Sequence, residues 1–258
     1  MPDFLEFSCR MIRYLFLSFS LFSFFPLYSQ TKQDLLTLTD RFLRFPSGEI
    51  SAELITKKKF VSFEKRNLKI ISKGQAKRIL FSRTAESPEN VYISDGRESV
   101  HFASLHPYHS RKISREEIID KILFTDFSFF DLSGFLFEKE FKPDRIEDYE
   151  VGALKFQKLT CFPVSMPQIS KISLIFKMPE RDLYRIDYFS RSGILMKSVK
   201  FRMGRVLFRR NGNKKEEEIL KSIEITNADT NLETVLEFKS VVSDSEESAD
   251  FTLENIRP

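Results

Sequence analysis

Lys171-Ile172-Ser173-Leu174-Ile175-Phe176 and, a little further on, Tyr184-Arg185-Ile186-Asp187-Tyr188 carry the pattern that decides the fold. In the first stretch Ile172, Leu174 and Phe176 alternate with Lys171 and Ser173; in the second Tyr184, Ile186 and Tyr188 alternate with Arg185 and Asp187. A period of two turns one set of side chains to a buried face and the other to water. Such alternation marks an antiparallel sheet with one wet face. The pattern extends in both directions. Leu154 and Phe156 alternate with Lys155 and Gln157, and Leu232, Leu236 and Phe238 with Glu233, Glu237 and Lys239. Arg191-Ser192-Gly193 turns into a strand over 194–201, and Asn211-Gly212-Asn213 joins apolar runs at 206–208 and 219–225. Upstream, Ile50, Ala52 and Leu54 alternate with Ser51 and Glu53, and runs at 60–63, 68–71 and 79–81 follow. Val91 and Ile93 are separated from Val100 and Phe102 by Asp95-Gly96, a hairpin signal. About ten strands joined mostly by short turns predict one large curved antiparallel sheet in a mainly β (α+β) chain.

Two helices are expected to cover its apolar face. Residues 31–45 place Leu35, Leu36, Leu38, Phe42, Leu43 and Phe45 on one broad side, with Asp34 near the N-cap and Pro46-Ser47-Gly48 as the stop. Ser114-Arg115-Glu116-Glu117 has the capping-box spacing ahead of Ile118, Ile119, Ile122 and Leu123, which predicts a short helix over 115–123. Residues 125–134 read as a turn plus a short helical piece. The acidic run at 243–248 reads as a solvated loop, and Phe251, Leu253 and Ile256 as a short docking segment.

The first thirty residues form a separate unit. Arg10 and Arg13 precede an uncharged apolar run over 14–25, and Pro26 and Leu27-Tyr28-Ser29-Gln30 close it. A basic start, a short apolar run and a polar exit is the layout of a secretory signal peptide. The run is shorter than the ~20 residues a spanning helix requires. Residues 1–30 are therefore read as an export signal cut near Ser29 or Gln30, Met11 being an alternative start. Residues 31–258 are read as a single domain without a stable transmembrane anchor. Cys9 precedes the apolar run, where a lipoprotein cysteine would follow it, and Cys161 reads as a small buried hydrophobe. Of the 28 phenylalanines, seven lie in residues 1–30, and the chain has no tryptophan.

Charge and motifs argue against several classes of function. A net charge of +4 comes from 41 basic and 37 acidic residues, without the one-sided clustering that nucleic-acid binding requires. The basic runs 57–59, Arg209-Arg210 and Lys214-Lys215 stand beside strands or turns and read as solubilising, edge-protecting charge; attraction to anionic lipid head groups is a secondary reading. His101, His106 and His109 lack the spacing of a metal site, and His106-Pro107-Tyr108-His109 reads as a polar loop. Asp144, Glu147 and Asp148 read as solvated loop charges. No nucleophile elbow, P-loop or dinucleotide fingerprint occurs. Neither catalytic residues, metal nor cofactor is expected, and the chain is not read as an enzyme.

The segment Thr125-Asp126-Phe127-Ser128-Phe129-Phe130-Asp131-Leu132 resembles a block of the outer-membrane lipoprotein-sorting proteins of the LolA/LolB-like superfamily: threonine–aspartate–phenylalanine–serine–aromatic–x–aspartate–leucine. Phe130 stands where an acid is common. The strand pair around Asp95-Gly96, the segment 108–113, Tyr184-Arg185-Ile186-Asp187-Tyr188 with its turn to Gly193, and Phe251-Thr252 resemble further family segments. The family's tryptophan is absent, which marks a divergent member. The resemblance implies an unclosed antiparallel β-barrel, a half-barrel with short helices on the concave face. It implies periplasmic carriage of the acyl chains of a lipoprotein or another amphiphilic lipid, with an inner-membrane export permease and an outer-membrane acceptor as partners. Phe127, Phe129, Phe130, Ile172, Leu174, Phe176, Tyr184, Ile186 and Tyr188 are the expected lining, by strand parity or by place in the aromatic block. The competing reading is a periplasmic regulatory or sensor module of the same fold that acts by protein contact.

Overall fold

In the computed structural model the described residues are 31–58, 61–84, 88–105, 108–122, 125–230, 232–243 and 251. Residues 1–30, read above as an export signal, His106, and most of the acidic and C-terminal segments therefore lie outside them. The sheet grows in two meanders. The first runs through β1 (Gly48–Lys58), β2 (Val61–Lys73), β3 (Ala76–Phe81), β4 (Asn90–Ser94), β5 (Val100–Leu105) and β6 (Tyr108–Lys112). The second runs through β7 (Phe141–Val151), β8 (Leu154–Pro163), β9 (Ile169–Met178), β10 (Asp182–Ser190), β11 (Leu195–Arg210), β12 (Asn213–Asn227) and β13 (Leu232–Val242). Antiparallel pairing of β1 with β13 joins them into one sheet of thirteen strands, ordered β6-β5-β4-β3-β2-β1-β13-β12-β11-β10-β9-β8-β7. The edges β6 and β7 do not pair with each other, so the sheet is an unclosed half-barrel.

Register explains the core. Cross-strand partners share a face, and apolar residues line up across the ladders: Tyr92 opposite Ile79, Ile79 opposite Ile70, and Ile70 opposite Ile50. The second meander does the same through Val199, Ile186, Leu174 and Leu159. All eight are buried, and together they form the concave wall.

Three short helices lie against that wall: α1 (Lys32–Phe42), α2 (Phe129–Ser133) and α3 (Phe137–Glu140). Leu35 and Leu36 of α1 are fully buried, and Phe42 meets Phe201 edge-on at 5.8 Å between ring centres. Asp40 of α1 accepts from the Phe137 N–H at 2.6 Å and the Glu138 N–H at 3.2 Å, fastening α3 to α1. Burial pushes this carboxyl up to about 6 despite the two donors.

Several expectations change. The capping box at Ser114 and Glu117 forms both ways, at 3.0 and 3.3 Å, but it starts only a single 3₁₀ turn, Glu117–Ile119. Asp120 turns extended and Lys121 bridges to Ser128. Tertiary pairing thus overrides the local helical pattern. The charged stretch holding Asp144, Glu147 and Asp148 is edge strand β7, and His109 lies in edge strand β6 rather than a loop. An edge strand has one neighbour and can be polar along much of its length, which hides it from an alternation test.

Candidate functional site

The segment between β6 and β7 crosses the hollow of the half-barrel. Its local chemistry explains why it holds its shape. Ser128 and Asp131 cap α2 reciprocally: the Ser128 N–H donates to Asp131 Oδ2 at 2.7 Å, and the Asp131 N–H to Ser128 Oγ at 3.4 Å. Gly134 ends the helix at φ +75°, and a Cβ there would stand 2.4 Å from the Gln75 carbonyl oxygen. Gly134→Ala is expected to cost about 2 kcal/mol or more, from a left-handed backbone and a backbone clash together; thermal unfolding followed by circular dichroism checks this. Tyr92 and Ser94 of β4 donate to the carbonyls of Phe129 (2.9 Å) and Ser133 (2.5 Å), so the sheet holds both ends of α2.

One ion pair ties the segment to the second meander, and a second, internal pair braces the segment where it meets β13. Lys197 of β11 donates to Asp131 Oδ2 at 2.6 Å and to Ser128 Oγ at 3.0 Å, with its ammonium 4.7 Å from the centre of the Tyr188 ring. Lys121 meets Asp126 at 2.9 Å, and the Asp126 N–H donates to Thr234 Oγ1 of β13 at 3.2 Å. The acids of the block at 125–132 are therefore fasteners. Breaking a nearly buried pair strands its partner, so Asp131→Ala is expected to cost about 3 kcal/mol in urea unfolding. Asp131→Asn, which keeps an acceptor for the cap, should lose less.

The hollow itself is largely filled. Phe130 meets Phe135, Phe137 and Phe141 edge-on, at 6.5, 5.4 and 5.9 Å. On one side of Phe130 is a cavity of about 40 Å³, bordered also by Phe45, Lys77, Ile186, Phe201 and Ile223. On the other is a cavity of about 220 Å³ between the 3₁₀ turn and the sheet, bordered by Ile119, Ile169, Tyr188, Met196 and Lys197. Ligand pockets commonly run from roughly 300 to 1,000 Å³, so both spaces are small, and Phe130 lines each of them.

Eight of the nine expected lining residues belong to the buried core: Phe127, Phe129, Phe130, Ile172, Leu174, Phe176, Ile186 and Tyr188. Phe130, Ile186 and Tyr188 border cavities. Tyr184 does not join them. The register slips between Leu183 and Arg185, which leaves Leu183 opposite Phe176 on the concave face and Tyr184 outside it. Tyr184 is 38% exposed and packs its ring on Phe156, 5.4 Å away, beside Tyr149. A bulge inverts parity, and nothing in the sequence marks it. The concave face also holds Lys77, which the sequence analysis did not single out; it stands two positions before Ile79 and so on the same side of β3. Cys161 is buried as expected, its thiol pushed up to about 12 by burial. His101 lies on β5 opposite Lys112, and burial and that charge lower its affinity for a proton.

No family model and no curated protein matches the sequence. Solved structures do. A DUF1329 family protein from Desulfovibrio piger superposes with a TM-score of 0.68 at 16% identity, over 88% of this chain and 98% of that one. A structure named as an outer membrane lipoprotein-sorting protein domain, from Vibrio parahaemolyticus, gives 0.66 at 16% identity, over 86% and 97%. A LolA superfamily protein from Nitrosomonas europaea gives 0.64 at 15% identity, over 82% and 93%. The chain has the LolA-type fold. Within that fold, β1 to β13 form the half-barrel and α1 to α3 its filling. Among the described residues no helix is long and apolar enough to cross a membrane.

Proposed function

We propose that this protein is a periplasmic carrier, exported by its N-terminal signal, that takes acyl chains of a lipoprotein or another amphiphilic lipid into the concave hollow. The observation that carries the reading is how the hollow is filled. Its apolar wall belongs to a continuous sheet, while its contents, Phe130, Phe135 and Phe137, come from a short segment with two four- to five-residue helices. Such a segment can move without breaking the sheet. The energetics permit an exchange. Exposing two phenylalanine rings costs about 2 kcal/mol each, and each buried methylene returns about 0.8 kcal/mol. Five or six methylenes therefore offset two rings, and a longer chain gives net affinity. The kinship in fold with a protein named for lipoprotein sorting supports the reading, as does the resemblance of residues 125–132. An export permease and an outer-membrane acceptor are the partners such a carrier needs.

Organic extraction and mass spectrometry of protein purified from its native host tests this. The expected result is about one acyl amphiphile per chain, removed by delipidation and restored by incubation with oleate. Protein that holds none and takes up none would overturn the proposal.

A further inference from the structure

One end of the concave wall is polar. Across the β2–β3 and β3–β4 ladders Ser72 faces Lys77 and Lys77 faces Ser94, so the three share the concave side. Ser94 is satisfied, donating to the Ser133 carbonyl and accepting from the Gly96 N–H at 3.1 Å. The other two are not. Ser72 is 2% exposed and its hydroxyl has no hydrogen-bond partner among the described residues. Lys77 is also 2% exposed, and its ammonium makes neither a hydrogen bond nor an ion pair among the described residues. Its contact is the face of Phe45, 3.8 Å from the ring centre. A buried ammonium without an anion is costly, and that cost is a reason to look for the anion.

The surroundings supply a route for one. Lys77 borders the 40 Å³ cavity of the aromatic hollow and, on its other side, a crevice of about 20 Å³ lined by Asp40, Arg44, Gln75 and Leu136. The crevice shares Arg44, Gly74 and Gln75 with an open depression at the end of the half-barrel, where Lys73 and Arg97 add positive charge. The acid there, Asp95, is engaged by the backbone N–H groups of Arg97, Glu98 and Ser99 at 2.8 to 3.0 Å. In the hollow, Asp131 is committed to Lys197. A basic rim therefore leads through a narrow neck to an unpaired ammonium, with apolar space beyond it.

We propose that the Lys77 ammonium, with the Ser72 hydroxyl beside it, binds the anionic head group, a carboxylate or a phosphate, of a single-chain amphiphile whose alkyl chain lies in the aromatic hollow. The inference rests on the carrier reading and names its ligand class. An anion here would form charge-assisted hydrogen bonds with the Lys77 ammonium and the Ser72 hydroxyl, strengthened by the apolar surroundings.

Isothermal titration of the delipidated full chain with oleate, oleyl phosphate, methyl oleate, acetate and inorganic phosphate tests it. The expected result is that oleate or oleyl phosphate binds about tenfold or more tightly than methyl oleate, while acetate and inorganic phosphate alone do not bind. Whichever charged amphiphile is preferred assigns the head group. Lys77→Met is expected to keep the affinity for methyl oleate and lose the preference for charge; Ser72→Ala is expected to weaken that preference. Equal binding of oleate, oleyl phosphate and methyl oleate by the wild type would overturn the head-group site and leave the carrier standing. Inorganic phosphate binding as tightly as oleyl phosphate would overturn the amphiphile part. Failure of all three chain-bearing ligands would overturn the carrier reading and this inference with it. The wild-type comparison decides even if a variant does not fold.

Discussion

Phe130→Ala is expected to lower the stability of the ligand-free protein by about 3–5 kcal/mol, a fall in Tm of about 10 °C for a domain of this size, and to tighten the binding of oleate. The two effects have one cause. Phe130 is 4% exposed, touches Phe135, Phe137 and Phe141, and stands between the 40 Å³ and 220 Å³ cavities. Removing its ring leaves a void that the fixed sheet cannot close, so the apo state loses contacts. The same ring is what an acyl chain must displace in the wild type. A variant without it starts with the space already open, and affinity should rise about thirtyfold, because ring exposure of about 2 kcal/mol no longer opposes binding. Thermal melts and titrations with oleate read both quantities. A folded variant that is destabilised but binds no more tightly would reduce Phe130 to a core filler.

Lys77→Met is the second large effect and runs the other way. Burial pulls the Lys77 ammonium down to about 7 from the ordinary lysine range. Between about pH 7 and the unfolded lysine value near 10.4, the unfolded chain therefore binds more protons than the folded one, and stability rises with pH across that window. Below about pH 7 the full cost of the buried charge is present. Methionine keeps the length of the side chain and removes that cost. The variant is expected to exceed the wild type by about 2 kcal/mol or more at pH 6, with the difference shrinking toward pH 10. Asp40, Arg44 and Asp131 share the cavities around Lys77 and are present in both proteins, so the difference between the two curves isolates Lys77. Denaturant unfolding at a series of pH values measures it. A difference constant with pH would mean that the ammonium is already neutralised by an anion or by solvent.

The legible part of this fold was the part in which one face is wet. Ile50, Ala52 and Leu54, all buried, against exposed Ser51 and half-buried Glu53 announce β1; Ile172, Leu174 and Phe176 announce β9 as well, although Ser173 and Ile175 between them are also buried. The block at 125–134 also behaved as its residues suggest, because Ser128, Asp131 and Gly134 form a complete cap-to-cap helix within a few positions. Where strand or bridge pairing decides the outcome, the sequence is silent. β7 is an edge strand whose charges face water, and the capping box at Ser114 was cut short by the bridge from Lys121 to Ser128. Tyr184 was misplaced by a one-residue bulge. Lys77 escaped notice because a lysine on a strand is ordinarily a surface residue. Only the structure shows that the concave face has closed over it.

Paramagnetic broadening of methyl resonances on addition of a nitroxide-labelled stearate reports whether the concave hollow beneath α2 and α3 receives an acyl chain. Selective broadening of Ile172, Leu174, Ile186 and Ile223 on the concave wall is expected, with Ile194, exposed in the turn between β10 and β11, unaffected. Broadening confined to exposed methyls such as that of Ile194, or none at stearate concentrations that saturate binding, would rule this out.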